Sequence, residues 1–134
     1  MDRESYLVMS FIHLRTASAY SLKYGTTQPR DLVARASELE MPALALTDRD
    51  GLAGAIRFTK ACVSHGIAPI IGINLPIAIG DLSGTLPRVT VLAHSDGGWR
   101  SLVRLYTGLQ MNSADRTAVL TPELLKKFSQ YTSN

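Results

Sequence analysis

Short apolar runs alternate with helical patterns along this chain, and that alternation restricts the fold more than any other feature. Residues 43–47 form an apolar run that is too short for three helical turns and lies between Pro42 and Asp48, which predicts a buried strand. The other strand-like runs are residues 9–14, 70–79 and 88–94. Strands that alternate with helices at these spacings predict an α/β protein built from parallel βα units, because parallel crossovers need a dozen or more residues. A doubly wound sheet and a barrel are equally compatible with this order.

Four segments carry apolar residues at helical spacing and predict the connecting helices. The first begins at Pro29, which suits the first turn of a helix, and the second ends at Gly66, which suits the position after a helix. The last is a short helix capped by Thr121. The apolar positions of the four are, in order, Leu32, Val33, Ala36 and Leu39; Leu52, Ile56, Thr59 and Val63; Trp99, Leu102, Val103, Tyr106 and Leu109; and Leu124, Leu125 and Phe128.

The composition suits one domain or part of one. The chain has 134 residues, of which 46% are hydrophobic, enough for one sizeable core but not for two ordinary domains. Its net charge of +3 is too weak to predict nucleic-acid binding. Cys62 is the single cysteine, which excludes an internal disulfide, and the sequence shows neither a signal peptide nor an apolar stretch of about 18 residues. We therefore expect a cytoplasmic protein that does not span a membrane.

Three blocks of sequence, in fixed order, resemble a known family. They are FIHLRTASAYSLKYG at residues 11–25, DLVARASELEMPALALTDRDGLAGAIRFTKAC at residues 31–62 and GIAPIIGINLPI at residues 66–77. They are similar to the opening of the polymerase and histidinol phosphatase (PHP) family, and within it to the N-terminal domains of bacterial DNA polymerase III alpha subunits and their error-prone paralogues. The likeness is clearest over residues 11–77 and weaker over residues 88–128. It implies that residues 1–134 are a single, partial PHP domain, the N-terminal portion of a distorted (β/α)7 barrel.

Metal-binding members of that family hold a small cluster of divalent metals at the carboxyl ends of their barrel strands. By the resemblance, the ligand positions fall here at His13, Arg15, Ala17, Tyr24, Asp48, Arg49 and Asn74. Most of the expected imidazoles and carboxylates are absent, and neither an arginine nor an alanine can coordinate a metal. We therefore predict a chain without metal, cofactor or catalytic residues. As a hypothesis, Arg15 and Arg49 replace the metals by pairing with Asp48 and Asp50.

The resemblance also implies a function, that of the N-terminal module of a DNA-directed DNA polymerase used in replication or error-prone repair. The remainder of the polymerase chain would be its partner, and a proofreading exonuclease subunit a second one. The catalytic carboxylates of such polymerases lie downstream, so we expect no nucleotidyltransferase activity and little direct DNA contact from this segment. The stretch TDRDGLAG at residues 47–54 is more similar to the error-prone paralogues than to the replicative enzyme. Two alternatives remain, a remodelled metal-dependent phosphoesterase that uses His13 and Asp48, and a free-standing binding protein derived from the domain.

The length of the chain predicts association. PHP domains are typically about twice as long, and closed domains usually have roughly 100–250 residues. Half a barrel leaves unpaired sheet edges, which readily pair with another chain. We therefore predict a homo-oligomer, strand exchange or a rearranged sheet.

Simple structural roles are expected of four further side chains. His13 lies on an apolar strand and is predicted to be a hydrogen-bonded core residue, because its co-ligands are missing. His65 is predicted to be exposed or to contact a helix dipole, and His94 to close a strand without a catalytic partner. Cys62 is predicted to be a small core residue.

Overall fold

The computed structural model describes residues 11–21, 25–80, 83–112 and 118–129. Within these ranges the order of elements confirms the predicted α/β fold. The elements are α1 (Pro29–Glu38), β1 (Ala43–Arg49), α2 (Ala55–His65), β2 (Ala68–Pro76), β3 (Arg88–Leu92), α3 (Ser95–Asn112) and α4 (Pro122–Ser129). No helix in the described ranges is both long and apolar enough to cross a membrane.

The predicted helix ends are confirmed. Pro29 opens α1, and Gly66 follows α2 with a left-handed φ of 67°, a conformation that costs glycine little. The side chain of Thr121 accepts a hydrogen bond from the backbone amide of Leu124 at 3.3 Å and so caps α4.

The three strands form one sheet in the order β1–β2–β3. β1 and β2 are parallel, with Arg49 opposite Asn74, which confirms the predicted βα unit. β3 is antiparallel to β2, with Thr90 opposite Asn74, so the prediction that the parallel unit repeats at β3 is wrong. The reason is the connection at residues 77–87, which is shorter than the dozen residues that a helical crossover needs, so the chain returns directly beside β2.

The segment before β1 differs from the predicted strand at residues 9–14. Residues 9 and 10 lie outside the described ranges, and residues 11–14 do not form a regular strand. The backbone amides of Ala45 and Thr47 nevertheless donate to the carbonyl groups of His13 and Thr16, at 3.0 and 2.9 Å. Residues 13–16 therefore lie along the edge of β1 that faces away from β2.

The helices bury their apolar residues in two clusters on one side of the sheet. The first cluster, between α1, β1 and α2, contains Val33, Ala36, Leu44, Leu46, Phe58, Cys62 and Ile67. The second, between β2, α3 and the segment before α4, contains Ile73, Leu75, Ile77, Leu102, Leu105, Leu109, Ala118 and Leu120. Ile71 packs against both clusters, so the two form one continuous layer between sheet and helices.

The buried side of α2 is not the predicted one. The apolar pattern in the sequence includes Ile56 and Val63, but these side chains are 60% and 72% exposed. The helix instead buries Ala55, Phe58 and Cys62, and the last two pack against α1 and β1 in the first cluster. Helical spacing alone permits either side, and the large ring of Phe58 gains more from burial than the branched side chains do.

Candidate functional site

Three of the predicted site residues, Asp48, Arg49 and Asn74, lie at the carboxyl ends of β1 and β2. Thr47, Asp48 and Arg49 close β1, and Asn74 lies opposite Arg49 near the end of β2. Because successive side chains of a strand point to opposite faces, Asp48 shares a face with Leu46, which packs against α1 and α2. Arg49 and Asn74 lie on the other face of the sheet. The strand geometry therefore separates Asp48 from Arg49 and Asn74, two of the residues with which the resemblance groups it.

Asp48 is buried, with 2% of the residue exposed, and its carboxylate is held by two serines. Oδ1 accepts hydrogen bonds from the backbone amide of Ser18 at 2.6 Å and from the hydroxyl of Ser21 at 2.7 Å. Oδ2 accepts one from the hydroxyl of Ser18 at 2.8 Å. A buried carboxylate is costly unless it is hydrogen-bonded, and these three donors meet that requirement.

The described parts of the loop, residues 18–21 and Gly25, place these serines beside Asp48. The amide of Ser21 donates to the carbonyl of Ser18, and the amide of Gly25 donates to the carbonyl of Ser21. The backbone of Gly25 lies against Ser18 so closely that a Cβ there would be 2.1 Å from the Ser18 carbonyl oxygen. The hydroxyl of Ser21 also accepts a hydrogen bond from the amide of Arg49 at 2.8 Å. We call Ser18, Ser21 and Asp48 the serine clasp, which joins this loop to the end of β1.

A second polar group lies on the opposite face of the sheet, around Arg88. Its Nε donates to Oδ1 of Asn74 at 2.6 Å, and its Nη2 donates to the Asn74 carbonyl at 2.9 Å. The same Nη2 forms an ion pair with Oδ1 of Asp50 at 2.6 Å. The Nδ2 group of Asn74 donates to Oγ1 of Thr90 at 3.0 Å, so this amide bridges β2 and β3. We call Arg88, Asn74, Asp50 and Thr90 the arginine cluster.

Helix α3 supports the arginine cluster through Tyr106. The phenol donates to the carbonyl of Asp50 at 3.0 Å and accepts a hydrogen bond from Gln110 at 3.2 Å. Asp50 has a left-handed backbone conformation, with a φ of 60°, which is uncommon for a residue other than glycine. Its carbonyl, amide and side chain are all bound by neighbouring elements, which offsets the cost of that conformation.

The structure changes several predicted roles. His13 is exposed rather than buried, and its ring makes an edge contact with Phe11 at 4.6 Å between ring centroids. Arg15 is exposed and Ala17 is half-buried, while Tyr24 lies outside the described ranges. The prediction that His13 is a core histidine is therefore wrong, because the edge of β1 leaves its side chain in solvent.

The predicted partners of the two aspartates also differ from those observed. We expected Arg15 and Arg49 to pair with Asp48 and Asp50, but Asp48 is bound by serines and Asp50 pairs with Arg88. Strand alternation explains the first difference, because Arg49 and Asp48 point to opposite faces. The second arises because β3 is antiparallel and brings the start of that strand to the end of β2.

Among the residues that the structure describes, those at the metal positions that the resemblance implies do not fit a metal cluster. Within the described ranges, no three His, Cys, Asp or Glu side chains converge as a metal site would require. Asp48 is committed to hydroxyl and amide donors, and the oxygens of Asn74 are committed to Arg88. A divalent cation would have to displace these donors and would lie close to the charge of Arg88.

The other predicted structural roles are consistent with the fold. His65 is exposed at the end of α2, where its Nδ1 lies 2.9 Å from the carbonyl oxygen of Ala61. His94 is exposed between β3 and α3. Cys62 is fully buried in the first apolar cluster, and this burial raises the pKa of its thiol to about 11.

Sequence reasoning missed four residues of these two groups, Ser18, Ser21, Arg88 and Thr90, and also Tyr106, which supports the second group. The serines stand in the first block that carries the resemblance, three positions apart, and such spacing around a turn is a usable signal for a carboxylate clasp. Nothing in the local sequence marks Arg88, since its contacts are with β2 and with the end of β1.

Comparison with known proteins places this geometry in a family. Residues 13–133 match the family model for the PHP domain. The chain is 39% identical over 114 residues to an error-prone DNA polymerase of Corynebacterium efficiens, covering 85% of this chain and 10% of that polymerase. It is 38% identical over 105 residues to DNA polymerase III subunit alpha of Bacillus subtilis, covering 78% and 9%. The chain thus spans about a tenth of the length of these curated relatives.

A solved structure shows the same fold. The chain resembles an amidohydrolase from Chromobacterium violaceum with a TM-score of 0.59 and 24% sequence identity, covering 75% of this chain and 33% of that one. At this identity the likeness concerns the fold alone. It agrees with an α/β arrangement that contains parallel strands.

Proposed function

Since the chain belongs to the PHP domain family, we propose that it is the N-terminal PHP portion of a DNA polymerase III alpha subunit or of an error-prone paralogue. In this role it acts as a metal-free, non-catalytic structural and interaction module in the cytoplasm. The proposal is supported by relatives of both polymerase types, each of which matches more than two thirds of this chain. In such a protein the described strands would be the first part of a distorted (β/α)7 barrel.

The observation that carries the non-catalytic part is the commitment of the polar groups at the strand ends. Metal-dependent hydrolysis needs several neutral imidazoles or carboxylates with free lone pairs around one cavity. Here the carboxylate of Asp48 faces the helices and accepts from Ser18 and Ser21, while Asn74 accepts from Arg88. Such a network commits the polar groups of Asp48 and Asn74 to holding the loop and the strand ends.

Metal content is the direct test of this proposal. We expect less than about a tenth of an equivalent of any divalent metal by inductively coupled plasma mass spectrometry. We also expect the same melting temperature with chelator and with added zinc or manganese, because no converging ligand set is present in the described ranges. Stoichiometric metal that raises the melting temperature, together with phosphoesterase activity, would instead support the remodelled phosphoesterase.

The proposed partners need a separate test. The rest of the polymerase would cover the sheet edges and the exposed side of α2, where Ile56 and Val63 face solvent. A proofreading exonuclease subunit is the second proposed partner. Isothermal titration of this chain with each purified partner should give a dissociation constant in the micromolar range or tighter, and no measurable heat with either would exclude the interaction role.

We also propose that the chain self-associates through a sheet edge. Within the described ranges, β3 pairs with β2 alone, which leaves its other edge without a neighbouring strand. In the absence of other partners, a second copy of the chain would pair there. Light scattering should show a dimer at high micromolar concentration, and a monodisperse monomer would contradict this part of the proposal.

A further inference from the structure

Three oxygen atoms converge on the guanidinium of Arg88, two from β2 and one from the turn that follows β1. They are Oδ1 of Asn74, the carbonyl oxygen of Asn74 and Oδ1 of Asp50, at 2.6, 2.9 and 2.6 Å. The Arg88 side chain is 20% exposed, and that of Asp50 is 51% exposed. Carboxylate, amide and carbonyl oxygens are also the donors that a hard divalent cation prefers. A side chain with a permanent positive charge occupies the position between them.

We propose that Arg88 is a built-in cation that takes the place of a metal ion and holds the carboxyl ends of β1 and β2 to the start of β3. This inference rests on the proposed metal-free function and extends it to the residue that makes a metal unnecessary. It replaces the expectation that Arg15 and Arg49 carry this role.

The surroundings of Arg88 are arranged to keep the three oxygens in position. Thr90 accepts a hydrogen bond from Nδ2 of Asn74, which leaves Oδ1 directed at Nε of Arg88. The carbonyl of Asn74 also accepts from the amide of Asp50, and Tyr106 binds the carbonyl of Asp50. At position 74 an amide suits this network, because it both accepts from Arg88 and donates to Thr90, which a carboxylate could not do.

Two roles for Arg88 predict different orders of stability among its variants. If its charge is what matters, Arg88→Lys should retain more stability than Arg88→Gln, because lysine keeps the cation next to Asp50. If Arg88 is only a hydrogen-bond donor, the neutral amide of Arg88→Gln should serve Asn74 at least as well as lysine does.

Thermal melting of the 134-residue chain separates these cases. We expect Arg88→Gln to lower the melting temperature by about 5–10 °C and Arg88→Lys by about half as much. Arg104 is exposed on α3, so Arg104→Gln is the matched control and should shift the melting temperature by less than about 1 °C. In an Asp50→Asn background the advantage of lysine over glutamine at position 88 should disappear.

Each outcome bears on the proposal. A melting temperature for Arg88→Gln equal to that for Arg88→Lys, or higher, overturns it, and so does an advantage of lysine that persists when Asp50 is neutral. If Arg88→Gln shows no cooperative transition, the cost of adding Asp50→Asn to the Arg88→Lys chain decides, since a charge role makes that second change lower the melting temperature, whereas a donor-only role leaves it unchanged. Failure here would leave the metal content of the unaltered chain, and hence the proposed function, unchanged.

Discussion

Two aspartates that are two residues apart at the end of β1 have opposite environments. Asp48 is buried on the helical face and is held by the amide and hydroxyl groups of Ser18 and Ser21. Asp50 lies beyond the strand, half-exposed, and pairs with the guanidinium of Arg88. The difference shows that burial determines the partner, because neutral donors can satisfy a buried carboxylate without bringing a second charge out of water.

The largest loss of stability is expected from a substitution at Asp48, the centre of the serine clasp. Asp48→Asn keeps the shape of the side chain but places an NH₂ group against donors, so we expect the free energy of unfolding to fall by about 2–3 kcal/mol. Asp50→Asn is the matched comparison, and it should cost less than about 1 kcal/mol because that carboxylate is half-exposed. Urea denaturation followed by circular dichroism measures both. Equal losses for the two variants would remove the distinction between the two sites.

A second prediction breaks the loop that carries the serines. In Gly25→Ala the new methyl group would meet the backbone of Ser18, which cannot move aside as a flexible side chain can, so we expect a loss of about 2 kcal/mol. Gly84→Ala is the control, since a Cβ there meets nothing within 4 Å. The midpoints of urea unfolding give the stability losses of the two variants, provided that the dependence of the unfolding free energy on urea concentration is unchanged. A neutral Gly25→Ala would mean that the loop does not need this close approach to position the serines.

The next prediction removes one hydrogen-bond donor of the serine clasp, the hydroxyl of Ser21. Ser21→Ala removes the hydroxyl that donates to Asp48 and accepts from the amide of Arg49, which should cost about 1 kcal/mol. Ser64 is exposed on α2 and bonds only within its own helix, so Ser64→Ala should be neutral within about 0.5 kcal/mol. Urea denaturation measures both variants. If Ser21→Ala and Ser64→Ala have the same free energy of unfolding, the contact of Ser21 with Asp48 does not contribute to stability.

The smallest effect at neutral pH concerns Cys62, which shows what burial does to a titratable group in an apolar cluster. Because its pKa is raised from 9.0 to about 11, the thiol favours folding below pH 9, and this contribution is lost as the pH rises toward 11. At neutral pH the titration should have no effect. Melting temperatures from pH 8 to 11 should therefore fall more steeply for the unaltered chain than for Cys62→Ala. Parallel curves would show that the thiol is not shielded in the folded state.

Much of the fold could be predicted from the sequence, and much of the site could not. Pro29, Gly66 and Thr121 mark helix ends because their preferences act over one turn, and the apolar run at residues 43–47 is too short to be anything but a buried strand. The resemblance likewise located the end of β1 as the region of interest. The direction of β3 and the buried side of α2 were predicted wrongly, because both depend on what packs against them.

What the sequence by itself determined is local, namely the order of strands and helices and their ends, while the resemblance predicts that imidazole and carboxylate groups are missing at the metal positions of the PHP family. Only the tertiary structure decided which groups stand in their place. Ser18 meets Asp48 across thirty positions of sequence, and Arg88 meets Asp50 across thirty-eight. Such contacts depend on sheet register and on the alternation of side chains between the two faces of a strand, so they exist only once β1, β2 and β3 are aligned.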